Sequence, residues 1–310
     1  MTFEDKIKLV TSPLPGSQPS ELTYQLSVKL KFDGYTVLDM YAELFPHQSK
    51  EKWEQKIIEG SLTVNDKKVS PNFILKAGWI TQNKVINKVE PNVNSNIKLI
   101  YESDDFIVIN KPAPLPIHPA GRFNKNTLIN ILQLAFPQFT FKIVHRIDAN
   151  TTGIVILAKN KPTANHIIKQ FEHQAVKKEY LALVEGIVKT DSFFINGNIS
   201  KHKTKAAGRE MDEKGVEAYT KVEVIKRFKD STLLKIIPSS GRTNQIRLHL
   251  ASIGHPIVGD KGYKNPSYFK NHPLTYKEDC LFLHAHQLQF NYNNHLVKFI
   301  AELPNKFLVN

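Results

Sequence analysis

Apolar residues recur with strand or helix spacing along the first ninety residues, and they predict a compact unit of short elements. In chain order the pattern predicts a strand, two helices and a hairpin, at 24–32, 37–45, 49–60 and 62–70. Gly60 is placed to end the second helix, and Asn65-Asp66 is a typical hairpin turn. The polar segment that follows ends near Pro91, and we place a domain boundary there.

From about residue 96 the pattern changes to strands with few helices. Residues 154–159 are continuously apolar, as expected of a strand buried on both faces. Further strands are predicted at 97–112, 177–186, 217–228, 231–238, 281–290 and 295–304. Pro162 opens a predicted helix, and a second one at 243–254 should turn Ile246, Leu250 and Ile253 to the core.

These patterns predict an α+β protein of three parts. Residues 1–22, rich in Pro and Ser, are expected to be a poorly structured leader. Residues 23–95 form a small α/β module, and 96–310 form a larger domain dominated by mixed, mainly antiparallel sheet.

Charge distribution points to an anionic partner. The chain has 310 residues and a formal net charge of +13. Residues 1–95 hold 12 basic and 11 acidic residues, whereas 96–310 hold 30 and 18, so the larger domain carries the positive field. A basic surface that serves only solubility is the plainer alternative.

Cellular location is suggested by what the sequence lacks. No apolar run approaches the roughly 20 residues that span a bilayer, and the amino terminus does not read as a secretory signal, so we expect a cytosolic protein without membrane contact. Cys280 is the single cysteine, which excludes an intramolecular disulfide and fits a reducing compartment.

The segment HRIDANTTG at 145–153 stands out because it places charged side chains on a turn that enters the buried strand. Read alone, Asp148 would cap that turn and Arg146 would offer it a surface salt bridge. No dinucleotide, phosphate-loop, serine-hydrolase or HExxH motif occurs, so nucleotide cofactors and serine-hydrolase chemistry lose support.

Four segments in one order change that interpretation. They are VINKPAPLPIHP (108–119), HRIDANTTG (145–153), KKEYLALVEG (177–186) and GRTNQIRLHLASIGHPIVGDKGY (241–263), followed by LHA at 283–285. Together they resemble the RluA-type RNA pseudouridine synthases, over roughly residues 100–300. The resemblance implies an isomerase that modifies uridines in ribosomal or transfer RNA and needs no cofactor or metal. We expect the protein to work as a monomer.

The resemblance also implies roles for individual residues. It puts the catalytic aspartate at Asp148, the active-site tyrosine at Tyr180 and the basic partner of the aspartate at Arg247. Arg146 matches the arginine that fills the stack when the target base leaves. Further substrate contacts are expected from His145, Thr152, Gly241, Arg242, Gln245 and Ile246.

Residues 23–95 resemble the small αL RNA-binding module of a ribosomal protein. Its second helix reads SKEKWEQK, with mixed signs where such modules usually present basic residues, so a purely structural appendage remains an alternative. The larger domain departs from the family pattern at Ile147, Thr152 and Asn244, where Leu, Ser and His are common. Asn244 cannot titrate, which excludes a role that needs an imidazole.

This chemistry suits the residues. Breaking the N-glycosidic bond leaves positive charge on the ribose and negative charge on the base, and a carboxylate can meet the first as a nucleophile or by abstracting a ribose proton. A buried arginine would keep that carboxylate ionised, and Tyr180 could stack on the uracil. Two alternatives stay open: a non-catalytic RNA-binding protein, and a metal-dependent hydrolase using His284 and His286, with ligands from His249, His255 or Asp260.

Overall fold

The computed structural model describes residues 1–202, 208–264 and 281–307. The chain divides into two compact units, one of Gly16–Glu90 and one of Met1–Pro15 with Pro91–Asn310. The boundary near Pro91 therefore lies close to the predicted position, whereas the amino-terminal boundary differs. None of the described helices is both long enough and apolar enough to cross a bilayer.

The smaller unit is a four-stranded antiparallel sheet with two helices. Its elements are β1 (Ser20–Ser27), α2 (Val37–Leu44), α3 (Lys50–Glu59), β2 (Leu62–Val64), β3 (Lys67–Lys68) and β4 (Ile80–Lys88), and the strand order is β1-β4-β2-β3. The Thr36 hydroxyl accepts from the Asp39 amide and begins α2. Gly60 ends α3 in the left-handed region at φ 77°, as predicted.

Strand β4 was missed by the sequence pattern, which is polar there. Thr81 and Asn83 on this strand are nevertheless buried, and the Thr81 hydroxyl forms a 2.8 Å hydrogen bond with that of Tyr41. Because the partner compensates the cost of burying the hydroxyl, a polar strand is able to sit in the core.

The leader prediction for residues 1–22 is wrong, since this segment holds α1 (Phe3–Val10) and the start of β1. Thr2 and Asp5 form a reciprocal capping box that begins the helix. Phe3 and Ile7, four residues apart, are both buried, and the Phe3 ring stacks on Phe136 at 5.0 Å. Residues 1–15 thus complete the core of the larger unit.

The larger unit is built on one ten-stranded sheet. Its ten strands are β5 (Lys98–Glu102), β6 (Phe106–Lys111), β7 (Lys142–Ile143), β8 (Thr152–Ala158), β9 (Lys177–Glu185), β10 (Ser192–Ile199), β11 (Val216–Arg227), β12 (Ser231–Pro238), β13 (Leu283–Tyr292) and β14 (His295–Ile300), all within the described residues. The order is β10-β11-β12-β9-β13-β8-β6-β5, with β14 on β13 and β7 on β8. Among the pairs of described strands, β13 and β8 alone run parallel, which confirms a mixed, mainly antiparallel sheet.

Besides α1, four described helices of the larger unit pack on this sheet or lie beside it: α4 (Leu128–Ala135), α5 (Lys161–Glu172), α6 (Gln245–Ser252) and α7 (Lys261–Lys264). All seven residues of β8 are buried, because α1 and α4 cover one face of that strand and α5 covers the other. Burial of each large aliphatic side chain stabilises the fold by roughly 1.5–3 kcal/mol. The charged segment 145–153 leads into this buried strand.

Two local predictions need correction. Residues 97–112 form the hairpin β5/β6 rather than one strand, because Ser103 bonds the amides of Asp105 and Phe106 and turns the chain. In α6, Ile246 and Leu250 are buried as predicted, whereas Ile253 is exposed. The helix ends at Ser252, so the position of Ile253 no longer follows the helical period.

Candidate active site

The loop between β7 and β8 carries Asp148, and backbone hydrogen bonds hold its shape. The Thr151 amide donates to the Asp148 carbonyl at 3.1 Å, and the Leu115 amide donates to the Ala149 carbonyl at 2.9 Å. At the end of the loop, Gly153 lies against β13, where a Cβ would come within 2.2 Å of the carbonyl oxygen of Ala285. Glycine is therefore required for the two strands to approach.

Arg247 on α6 joins two carboxylates. Its Nη1 donates to Asp148 Oδ2 at 3.3 Å, while Nε and Nη2 bind Asp260 bidentately at 2.7 and 2.8 Å. The side chain of Asp260 is 1% exposed and that of Asp148 is 38% exposed. The buried Asp260 carboxylate therefore fixes the position of the guanidinium, and the Asp148 carboxylate is accessible to a ligand.

The charge of Arg247 is secure despite its burial. Burial acts to lower the pKa of Arg247, but the hydrogen bonds and charge of Asp260, with a further contribution from Asp148, raise it above its ordinary value. The guanidinium also lies over the Tyr263 ring at 4.9 Å. A permanent positive charge thus stands beside the Asp148 carboxylate.

Asn244 supports the same guanidinium. Its Oδ1 accepts from Arg247 Nη1 at 3.3 Å, and its Nδ2 donates to the Tyr263 hydroxyl at 3.0 Å. The residue lies in the left-handed region at φ 58°, a conformation that asparagine tolerates better than most side chains. Asparagine at this position therefore fits both the backbone and the hydrogen bonds.

Tyr180 on β9 contributes a neutral phenol. Burial, with the negative charge of Asp148 as a second cause, raises the pKa of Tyr180 to about 12. The hydroxyl therefore stays protonated at neutral pH. An uncharged aromatic ring in this position offers a face on which a pyrimidine could stack.

A cavity of about 790 Å³ unites these groups. Of the residues predicted from the sequence, the following nine line it: Asp148, Tyr180, Arg247, Arg146, His145, Gly241, Arg242, Gln245 and Ile246. The tenth, Thr152, is buried outside it and shares a 2.8 Å hydrogen bond with His284 Nδ1. Thr151 lines the cavity instead, which corrects the sequence prediction.

Two of the lining residues already have their polar groups occupied. His145 Nε2 accepts from the Ile156 amide at 3.0 Å, and burial, assisted by the nearby charge of Lys178, lowers the pKa of His145 to about 3. The Gln245 amide oxygen accepts from Ser240 and from the backbone of Arg242. Both side chains shape the wall of the cavity.

Lys111 was not predicted from the sequence as a residue that shapes the site. It is fully buried, and its Nζ donates to the carbonyls of Pro112, Leu115 and Ala149 at 2.9, 2.9 and 3.1 Å. Burial lowers the pKa of Lys111 to about 7, opposed by the charge of Asp148. The ammonium ties the 111–115 turn to the loop of Asp148. Its place in the motif VINKP was the available signal.

Comparison with known proteins places this site in a family. A family model described as RNA pseudouridylate synthase matches residues 105–252. An uncharacterized RNA pseudouridine synthase of Aquifex aeolicus is 33% identical over 267 residues, covering 80% of this chain and 83% of that protein. The chain belongs to the RNA pseudouridine synthase family. It is thus an isomerase of the RluA type that acts on uridine in RNA.

Other relatives of this pseudouridine synthase carry names that include an RNA. Ribosomal large subunit pseudouridine synthase D of Pasteurella multocida is 28% identical over 307 residues, with 93% of this chain and 94% of that protein covered. The mitochondrial tRNA pseudouridine(32) synthase of Saccharomyces cerevisiae is 29% identical over 267 residues, covering 85% of this chain and 58% of that protein.

The fold of this synthase agrees with solved structures. Human RNA pseudouridylate synthase domain containing 1 matches with a TM-score of 0.57 and 27% identity, covering 69% of this chain and 86% of that chain. The predicted fold class, a mainly antiparallel α+β catalytic domain, is confirmed.

The rival metal-site interpretation finds no geometric support. Across 1–202, 208–264 and 281–307, no three His, Cys, Asp or Glu residues are grouped so that they could hold a metal. His249 Nδ1 bonds the Thr220 hydroxyl at 2.9 Å, and His255 Nδ1 and His286 Nδ1 bond backbone carbonyls. These histidines are parts of the scaffold.

Proposed function

We propose that this enzyme converts uridines of ribosomal or transfer RNA to pseudouridine, with Asp148 as its catalytic carboxylate. The observation that carries the proposal is the accessible Asp148 carboxylate, held beside Arg247 in a cavity that Tyr180 also lines. The names of the Pasteurella and yeast relatives support these two classes of RNA.

Asp148 meets the charge that develops on the ribose when the glycosidic bond breaks. Both routes open to it, attack as a nucleophile and abstraction of a ribose proton, need the ionised carboxylate. Arg247 fixes the carboxylate by a hydrogen bond and holds a positive charge beside it. Asp260 binds the guanidinium of Arg247 bidentately and so fixes its position. Asp148, which is bonded to the same guanidinium, therefore needs little reorganisation before it reacts.

Tyr180 stacks on the uracil in this proposal, and its neutral hydroxyl is available to relay the C5 proton. Arg146 lies two residues before Asp148, is exposed, and lines the same cavity. Its guanidinium fills the gap left in the RNA stack when the target uridine turns into the cavity. Arg242, also exposed there, contacts phosphate.

The remaining expectations concern the setting of the enzyme. We propose that the smaller unit, 16–90, assists RNA binding as an αL-type module, although its second helix carries mixed charge. We also propose a cytosolic, monomeric enzyme, in line with the single cysteine and the basic larger unit.

Tritium release provides the direct test of activity. RNA transcripts carrying C5-tritiated uridine should lose tritium to water when incubated with the wild-type protein, because C5 exchanges its hydrogen for the glycosidic bond. Mapping pseudouridine in total RNA from cells with and without the protein then identifies the target uridine. Absence of both tritium release and any differing position would contradict the proposal.

A further inference from the structure

Lys178 is a partly buried cation in the cavity to which the chemistry described above assigns no role. It lies on β9 two residues before Tyr180, so the period of the strand turns both side chains to one face, and both line the cavity. Its Nζ donates to the carbonyl oxygen of Ser240 at 3.0 Å. The ammonium has two further N–H groups that could bind a ligand.

No counter-ion neutralises this ammonium within the described part of the chain. Arg247 pairs with two carboxylates, whereas no described carboxylate forms an ion pair with Lys178. Burial lowers the pKa of Lys178 to about 8, and its charge helps to keep the neighbouring His145 neutral. A cation that is partly withheld from water and has no counter-ion costs free energy, and a substrate group that accepts its hydrogen bonds would offset that cost.

The exposure of each cation in the cavity indicates which part of the RNA it could bind. Arg146 and Arg242, which also line the cavity, are exposed and suit phosphates, which stay at the surface of the RNA. Lys178 is less exposed than either and lies two residues before Tyr180 on the strand. The base of a flipped nucleotide is the group that enters the pocket of such an enzyme.

We propose that Lys178 donates a hydrogen bond to a carbonyl oxygen of the target uracil and stabilises the negative charge that the uracil gains when its glycosidic bond breaks. This inference rests on the proposed function. Asp148 would then respond to the positive charge that develops on the ribose, and Lys178 would stabilise the negative charge on the uracil.

The electrons balance without a proton moving at Lys178. The bond between C1′ and N1 breaks, and its electron pair remains on the uracil, spread over N1 and the carbonyl oxygens. After the uracil rotates, an electron pair of the base forms the bond between C5 and C1′. The C5 proton then leaves to a base, and N1 takes up a proton from solvent to give pseudouridine. Lys178 stays an ammonium throughout and acts only as a hydrogen-bond donor.

Three variants test this role. Lys178→Met removes the charge at similar length, Lys178→Arg keeps a charge, and Lys177→Met removes an equal charge from the exposed neighbouring residue. Single-turnover rates of glycosidic bond cleavage are measured at saturating enzyme on a synthetic stem-loop around the mapped target. The stem-loop carries either uridine or 5-fluorouridine at that position, and fluorine withdraws electrons and so stabilises the detached base.

Lys178→Met should react about 100-fold more slowly than wild type on uridine, the effect typical of losing one donor to a developing anion. On 5-fluorouridine the defect should shrink to about tenfold or less, because the base needs less help to carry its charge. Lys178→Arg should recover part of the rate, and Lys177→Met should match wild type. The melting temperature of Lys178→Met should not fall, because the substitution removes a partly buried charge that has no counter-ion.

Two results would overturn the proposal. Weaker RNA binding with an unchanged rate at saturation would make Lys178 a phosphate contact. Equal defects on both bases, with a lowered melting temperature and no recovery by arginine, would make its role structural. Wild-type protein that leaves both substrates unreacted would instead count against the proposed function itself.

Discussion

Arg247 is held more closely by Asp260 than by Asp148, with donor–acceptor distances of 2.7 and 2.8 Å against 3.3 Å. The buried carboxylate therefore sets the position of the guanidinium, and the accessible one receives its charge. Asp148 is 99 residues from Arg247 along the chain, so this arrangement depends on the fold of the whole larger unit.

Replacing Asp260 by asparagine should impair both stability and activity. The change leaves the Arg247 charge buried without its closest partner, which should lower the free energy of unfolding by about 3–5 kcal/mol. Asp191→Asn is the matched control, because Asp191 pairs with Arg227 at the surface and should cost less than about 1 kcal/mol. Urea unfolding compares them. Equal stability of the two variants would mean that Asp260 does not anchor Arg247.

Truncating Phe3 should show that the first helix belongs to the larger unit. Phe3 is 9% exposed and stacks on Phe136, so Phe3→Ala should lower the free energy of unfolding by about 3 kcal/mol. Leu9→Ala, on the same helix but 69% exposed, should change it by less than about 0.5 kcal/mol. If denaturant unfolding finds the two variants alike, α1 is not docked in solution.

Lys111 should make stability depend on pH in a defined direction. Its pKa is about 7 in the folded protein and near 10.5 when unfolded, so the unfolded chain binds more protons between these values. Wild type should therefore gain stability relative to Lys111→Met as pH rises from 7 to 10, by at most about 1.4 kcal/mol per pH unit.

Thermal or urea unfolding of both proteins at pH 6.5, 8 and 9.5 measures this difference. Lys98→Met, which alters an exposed lysine of β5, should follow wild type at every pH. A constant difference between wild type and Lys111→Met over this range would show that Lys111 does not titrate there.

Arg146 should act by stacking rather than by charge alone. Its Nη1 lies 3.1 Å from His118 Nε2, and burial, together with the charge of Arg146, lowers the pKa of His118, so a neutral ring accepts this hydrogen bond. Arg146→Ala should bind RNA yet react slowly, and the defect should shrink when the target uridine is already unstacked. Arg146→Lys should recover little, because an ammonium cannot stack as a planar guanidinium does.

Single-turnover rates on a paired stem-loop and on a bulged target uridine distinguish the two roles of Arg146. Equal defects on both RNAs, with full recovery by lysine and a salt dependence of binding reduced by about one charge, would make Arg146 a phosphate contact.

Much of the candidate site could be predicted because its residues lie in short sequence motifs that are specific to one family. Asp148 and Arg146 share one motif, and Tyr180 and Arg247 lie in two others, which the fold brings to one cavity. The patterns for β8, α3 and the Asn65-Asp66 turn were also sufficient, since each depends on local periodicity or backbone preference.

What could not be predicted depends on contacts between distant segments. Helix α1 is short and begins in polar text, and only its packing on Phe136 shows that Phe3 is buried. Lys111 can be buried because its ammonium donates to three backbone carbonyls. One of these carbonyls belongs to Ala149, which is 38 residues away in the sequence. Thr152 was expected to contact the substrate because it lies within the segment HRIDANTTG, yet the strand turns its side chain toward His284.

The most direct test of Asp148 is the single-turnover rate of pseudouridine formation by Asp148→Asn on the mapped RNA, with RNA affinity measured on the same preparation. The substitution removes a carboxylate charge but little surface, so formation should fall to background while the dissociation constant stays within about tenfold of wild type. Turnover above background, with the asparagine confirmed by mass spectrometry, would contradict the assignment of Asp148 as the catalytic carboxylate.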